Sequence, residues 1–177
     1  MHEAQSISEK RNFHVEEGIL IFLLILSLVG IAITDYSPDD GYGYWLIMVF
    51  VFALFAILIA WLQSKHNDGD FAEIVKEQSL HWSTSLIVVV GAFLLQKSGQ
   101  LSPATASLVI LLLLSLATML DGLRIGWRFS LIGLYLGVSS VIRAFYGPIM
   151  WLDTLIAIII VAATFFWEYW MNKRENS

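Results

Sequence analysis

The chain has 177 residues, of which 58% are hydrophobic and 14% charged, with a net charge of −5, a mean hydropathy of +0.73 and no cysteine. A soluble domain carries about 25% charged residues; no single core of this size hides so much apolar surface, so the bilayer must serve as solvent for most of the chain. The missing thiols exclude disulfide exchange, thiolate nucleophiles and Cys-ligated metal or iron–sulfur sites, and Lys and Arg residues strewn along the membrane edges exclude the concentrated positive surface that nucleic acid requires.

In chain order, a polar leader, 1–17, precedes the first apolar run, 18–36. Its apolar part, 18–34, exceeds the h-region of a signal peptide, about 7–15 residues, and no small-x-small motif follows it, so it reads as a retained signal-anchor helix. Five more runs follow at 44–63, 80–97, 103–121, 127–146 and 149–170. At about 1.5 Å per residue each spans a hydrocarbon core of about 30 Å. Barrel strands would be shorter and would alternate in polarity, whereas these runs are apolar on all sides. The expected fold is therefore all-α, a single polytopic transmembrane bundle of six spans over 18–170, with a short tail, 171–177.

The breaks read as helix ends. Ser102-Pro103 is an N-cap followed by proline at N1, and Gly147-Pro148 suits a tight turn between two helices. Trp and Tyr cluster at the run ends as interfacial belts. With six spans, Lys10, Arg11, Lys65, Lys76, Arg124, Arg128, Lys173 and Arg174 fall on one side and only Lys97 and Arg143 on the other. The positive-inside rule then places both termini in the cytoplasm of a bacterial inner membrane or a plasma membrane. The loop 64–80 is the one sizeable polar connection. Phe71, Ile74, Val75, Gln78 and Trp82 share a helical face there, which predicts a short amphipathic interfacial helix leading into the third span.

Three constellations stand out. The most regular is a ladder of small residues along the fifth span: Gly126, Ser130, Gly133, Gly137, Ser140 and Ala144, in steps of four and three that keep them on one face. Such a face lets helix backbones approach closely in lipid. It serves either as a seam against another span of the chain or as an interface between subunits. Second, Arg143 and Asp153 lie equally far on either side of Pro148, so an antiparallel hairpin brings them to similar depth. They can form a structural clasp or an ion- or substrate-contacting pair, or can snorkel separately. Third, Asp35, Asp39 and Asp40 crowd the first outer loop without a cation, either as a solvated turn or as a weak site for a hard metal ion. Asp121, Arg124 and Arg128 flank the fourth-to-fifth turn, and Glu16-Glu17 and Glu168 read as ordinary interfacial residues.

No His-Glu-x-x-His, Gly-x-Ser-x-Gly or glycine-rich phosphate loop occurs, and no histidines face each other within spans to hold haem. No catalytic residue, cofactor or firm metal site is expected. The functional expectation is a non-enzymatic membrane protein acting through helix packing and assembly, with itself or in a larger membrane complex, its constant partner being the lipid bilayer. The alternative is a small ion channel or transporter with an acidic outer vestibule. No substrate or ion is specified by any motif.

Overall fold

The structure, a computed structural model, describes residues 2–64 and 71–175. They form six α-helices: α1 (His2–Tyr36), α2 (Pro38–Ser64), α3 (Phe71–Lys97), α4 (Pro103–Ile125), α5 (Trp127–Tyr146) and α6 (Met150–Glu175). All six are long and apolar enough to cross a membrane, the build of a multi-pass membrane protein. Lys65 and the rest of 65–70, counted above in the polar loop, lie outside the described residues, as do Met1 in the leader and 176–177 in the tail.

Several helices extend beyond their apolar runs, because hydropathy marks where lipid begins and not where a helix ends. The clearest correction is the acidic loop between the first two apolar runs. Only Ser37 interrupts the helices there, and α2 starts at Pro38, six residues before its apolar run. Proline at the first helical position loses no hydrogen bond, and Asp39 and Asp40 in the first turn complement the helix dipole. The second correction concerns 64–80. Phe71 begins a single unbroken helix through Lys97, so the amphipathic stretch is the first turns of α3 and not a separate interfacial helix. Its shared face turns inward at Gln78 and Trp82, both buried, while Phe71 stays exposed.

The other boundaries follow local chemistry. Ser102 caps α4 by accepting a hydrogen bond from the Thr105 N–H at 3.2 Å, and Pro103 follows it. Gly126, at φ 140°, is the single residue that parts α4 from α5, and Gly147, at φ 75°, ends α5. Both are backbone conformations that L side chains rarely adopt.

α2 and α4 occupy the middle of the bundle, and α4 and α5 make the most extensive helix–helix contact. Phe52 of α2 packs against Trp82 of α3 and Phe129 of α5, at ring-centroid distances of 6.4 and 6.0 Å. Leu20, Leu23, Val49, Leu114, Ile132 and Leu136 complete a fully buried core. α6 is peripheral. Among the described residues it touches only α1 and α5 substantially, and most of its described side chains are exposed.

Candidate functional site

The ladder on α5 lies against α4, within one chain. A Cβ at Gly133 would stand 2.6 Å from the Met119 backbone nitrogen and 2.8 Å from the Ser115 carbonyl oxygen, and one at Gly137 would stand 2.6 Å from the Ser115 hydroxyl. Gly122 of α4 answers from the opposite side, pressed on the backbone nitrogen of Ser130. This closeness lets hydroxyls bridge the two backbones. Ser115 donates to the Gly133 carbonyl at 2.7 Å, Ser130 to Met119 at 3.1 Å and Ser140 to Leu108 at 3.1 Å. The ends of the ladder do not join in. Gly126 forms the turn, and Ala144 is exposed.

At the end of the bundle where α1 finishes, Arg143 is gripped from two other helices. Its Nε donates to Asp35 Oδ1 at 3.0 Å and its Nη2 to Asp35 Oδ2 at 3.1 Å, a two-pronged pair. Nη2 also lies 2.9 Å from Asp153 Oδ2, and Nη1 donates to the Ser139 carbonyl at 3.4 Å. The side chains of Arg143, Asp35 and Asp153 are 4%, 9% and 0% exposed. The Arg143–Asp153 pair expected from the hairpin is therefore present, but Asp35 holds the better-aligned bonds and α1 joins the clasp. Asp35 could have been found from depth alone. It ends its span on the same side as Arg143, as Asp153 does. Beside the cluster a hollow of about 630 Å³ is lined by Asp35, Tyr36 and residues 148–151.

Turned toward Arg143, Asp35 does not build a carboxylate site with Asp39 and Asp40. Those two are exposed on the first turn of α2, where Asp40 accepts a hydrogen bond from Ser37 at 2.6 Å. Among the described residues no three His, Asp or Glu side chains are placed to hold a metal ion.

At the opposite end Arg128 does for α1 what Arg143 does across the bundle. It lies 3.0 Å from Glu16 and 3.5 Å from Glu17, while Gln63 of α2 donates to Glu16 at 3.0 Å and to the Ile125 carbonyl at 2.6 Å. Glu17 also accepts from Thr164 of α6 at 2.7 Å, and both residues are buried. Glu16-Glu17, which read as unremarkable interfacial residues, are thus part of the packing. A third buried carboxylate, Asp121, accepts from Gln78 at 2.8 Å and from the Trp82 indole at 3.1 Å, so neutral donors serve it. Arg124 pairs instead with Glu77, on the exposed side of α3.

Two glycines outside the ladder matter as well. A Cβ at Gly30 would strike the rings of Tyr44 and Trp45, and one at Gly41 would lie 2.8 Å from the Thr34 hydroxyl. The gap at Gly30 lets Tyr44 reach across α1 and donate to the Leu26 carbonyl at 2.6 Å. Trp45 donates to Thr34 at 2.9 Å in the same contact. No periodicity marks these glycines in sequence, because each answers a single large side chain on the neighbouring helix.

Comparisons with family models, curated proteins and solved structures give no match for this chain. Its functional reading therefore rests on its own geometry.

Proposed function

We propose that this chain is a non-enzymatic membrane protein that acts by association in the bilayer, with itself or as a subunit of a larger membrane complex. The observation that carries the reading is the attachment of α6. That helix buries a narrow stripe, Asp153, Ala157 and Thr164, and leaves Leu155, Ile158, Ile159, Phe165 and Phe166 uncovered. Between α1 and α6 runs a shallow apolar groove of about 320 Å³, lined by Ile21, Leu24, Ile25, Leu28, Ala157 and Ile158 among others. In lipid such a face gains from helix-on-helix packing and loses nothing by leaving lipid tails. The small-residue ladder, by contrast, is occupied within the protomer and adds no support for association. The missing catalytic motifs support the non-enzymatic part.

The same reading puts both termini in the cytoplasm, supported by the Lys and Arg asymmetry along the chain. Extraction into native-lipid particles followed by mass measurement tests association: an oligomer or a co-purifying complex is expected, and a single-chain mass throughout would refute it. A second reading, a small channel or transporter with an acidic outer vestibule, is favoured by one observation, the hollow that opens beside Asp35 and the buried Arg143 cluster. Saturable ion flux into liposomes by the purified chain would favour this second reading over the first.

A further inference from the structure

The Arg143 cluster is unevenly paired. Both well-aligned carboxylate bonds of its guanidinium go to Asp35, at 3.0 and 3.1 Å. Asp153 has an ion-pair approach of 2.9 Å to Nη2, yet neither of its oxygens accepts an aligned hydrogen bond, and its side chain is fully buried. The charged groups that meet here are Asp35 from α1, Arg143 from α5 and Asp153 from α6, so one guanidinium faces two carboxylates. One carboxylate is left over, and the Asp153 side chain is fully buried. At the other end of the bundle Arg128 also meets two carboxylates, Glu16 and Glu17, but there Glu16 is 19% exposed and meets solvent.

Two further buried oxygens belong to the same end of the bundle. Ser139 and Tyr135 follow Arg143 down one face of α5, a turn apart, and both hydroxyls are buried without a hydrogen-bond partner. The Tyr135 hydroxyl is within electrostatic reach of Ser139, Asp153 and Arg143. Buried polar atoms are almost always satisfied, so several orphaned oxygens in one place call for a ligand.

We propose that Asp153, Ser139 and Tyr135 bind one monovalent alkali cation, which enters from the hollow lined by Asp35, Tyr36 and residues 148–151. The ligand set is all oxygen, which suits a hard cation. One unbalanced carboxylate matches one positive charge, whereas a divalent ion would reverse the imbalance. The cation would accept lone pairs from three side chains on two helices, and so would fasten the first turn of α6 to α5. The proposal does not depend on association between chains.

The test uses the full chain, one copy per lipid nanodisc, with choline chloride holding ionic strength constant. Binding of radioactive sodium is measured directly, with potassium and lithium as competitors, alongside thermal unfolding. Saturable binding of one ion per chain is expected, together with a rise in Tm that choline does not produce. Ser139→Ala and Tyr135→Phe should each weaken sodium binding about tenfold or more, the effect of removing one ligand to a charged group, while Tm in choline changes little. Asp153→Asn should abolish binding. If that variant does not fold, the Ser139 and Tyr135 variants decide. Absence of saturable binding and of any cation-dependent Tm at acidic, neutral and alkaline pH would overturn the proposal. So would stabilisation by acidification alone, which would mean that a proton balances the charge. Undiminished binding by both hydroxyl variants would overturn it too, since the ion would then sit elsewhere.

Discussion

Three glycines offer a graded test of the α4–α5 seam, since the same added methyl meets a different neighbour at each. At Gly133 the new Cβ would stand 2.6 Å and 2.8 Å from backbone atoms of α4, which cannot rotate away, so the two helices must part. Overpacking of this kind costs about 1–3 kcal/mol. Separation also stretches the bond from Ser115 to the Gly133 carbonyl, worth about 0.5–1.5 kcal/mol. At Gly137 the Cβ meets the Ser115 hydroxyl at 2.6 Å, the movable end of a side chain, which can turn aside at the loss of that one bond. Gly91 on α3 has nothing within 4 Å, so alanine there should be neutral or should stabilise by up to about 1 kcal/mol through helix propensity. The expected order of stability is Gly91→Ala above Gly137→Ala above Gly133→Ala, with about 2 kcal/mol or more between the extremes. Unfolding titrations in mixed micelles, followed by tryptophan fluorescence, measure this, and mass in nanodiscs should show the same assembly state for all three. Equal stability of the Gly133 and Gly91 variants, or a change of assembly state confined to Gly133→Ala, would refute an internal seam.

At the clasp, Arg143→Met should destabilise by about 3–5 kcal/mol, because it strands two buried carboxylates. A double-mutant cycle should find stronger coupling of Arg143 to Asp35 than to Asp153, and the reverse order would contradict the bonding described above. Trp82→Phe removes the indole donor to buried Asp121 and should cost about 1.5–3 kcal/mol, whereas Arg124→Ala, at an exposed pair, should change stability by less than about 1 kcal/mol. Equal effects in the same unfolding titration would show that Asp121 does not depend on Trp82.

Six helices long and apolar enough to span, and a close-packing face on α5, were legible in the sequence, because both are repeating patterns. Hydropathy registers how many residues lipid can surround, and a ladder of small residues keeps its helical spacing whatever partner it meets. The Arg143–Asp153 pair was legible for a related reason: the hairpin turn at Pro148 puts equal distances along the chain at equal depth. What packs against each face was not legible. The ladder suited an internal seam or a subunit interface until α4 filled it. Asp35 read as part of an acidic loop until α1 brought it against Arg143, and Glu17 read as interfacial until Thr164 arrived from the far end of the chain. Gln78 and Trp82 looked like an interfacial face until Asp121 claimed them. Apart from the α4–α5 seam, these contacts join residues far apart in sequence, and in lipid no contrast between oily and wet surfaces marks the buried side of a helix. The partner of each polar side chain is therefore decided by how the six helices are arranged, which only the tertiary structure supplies.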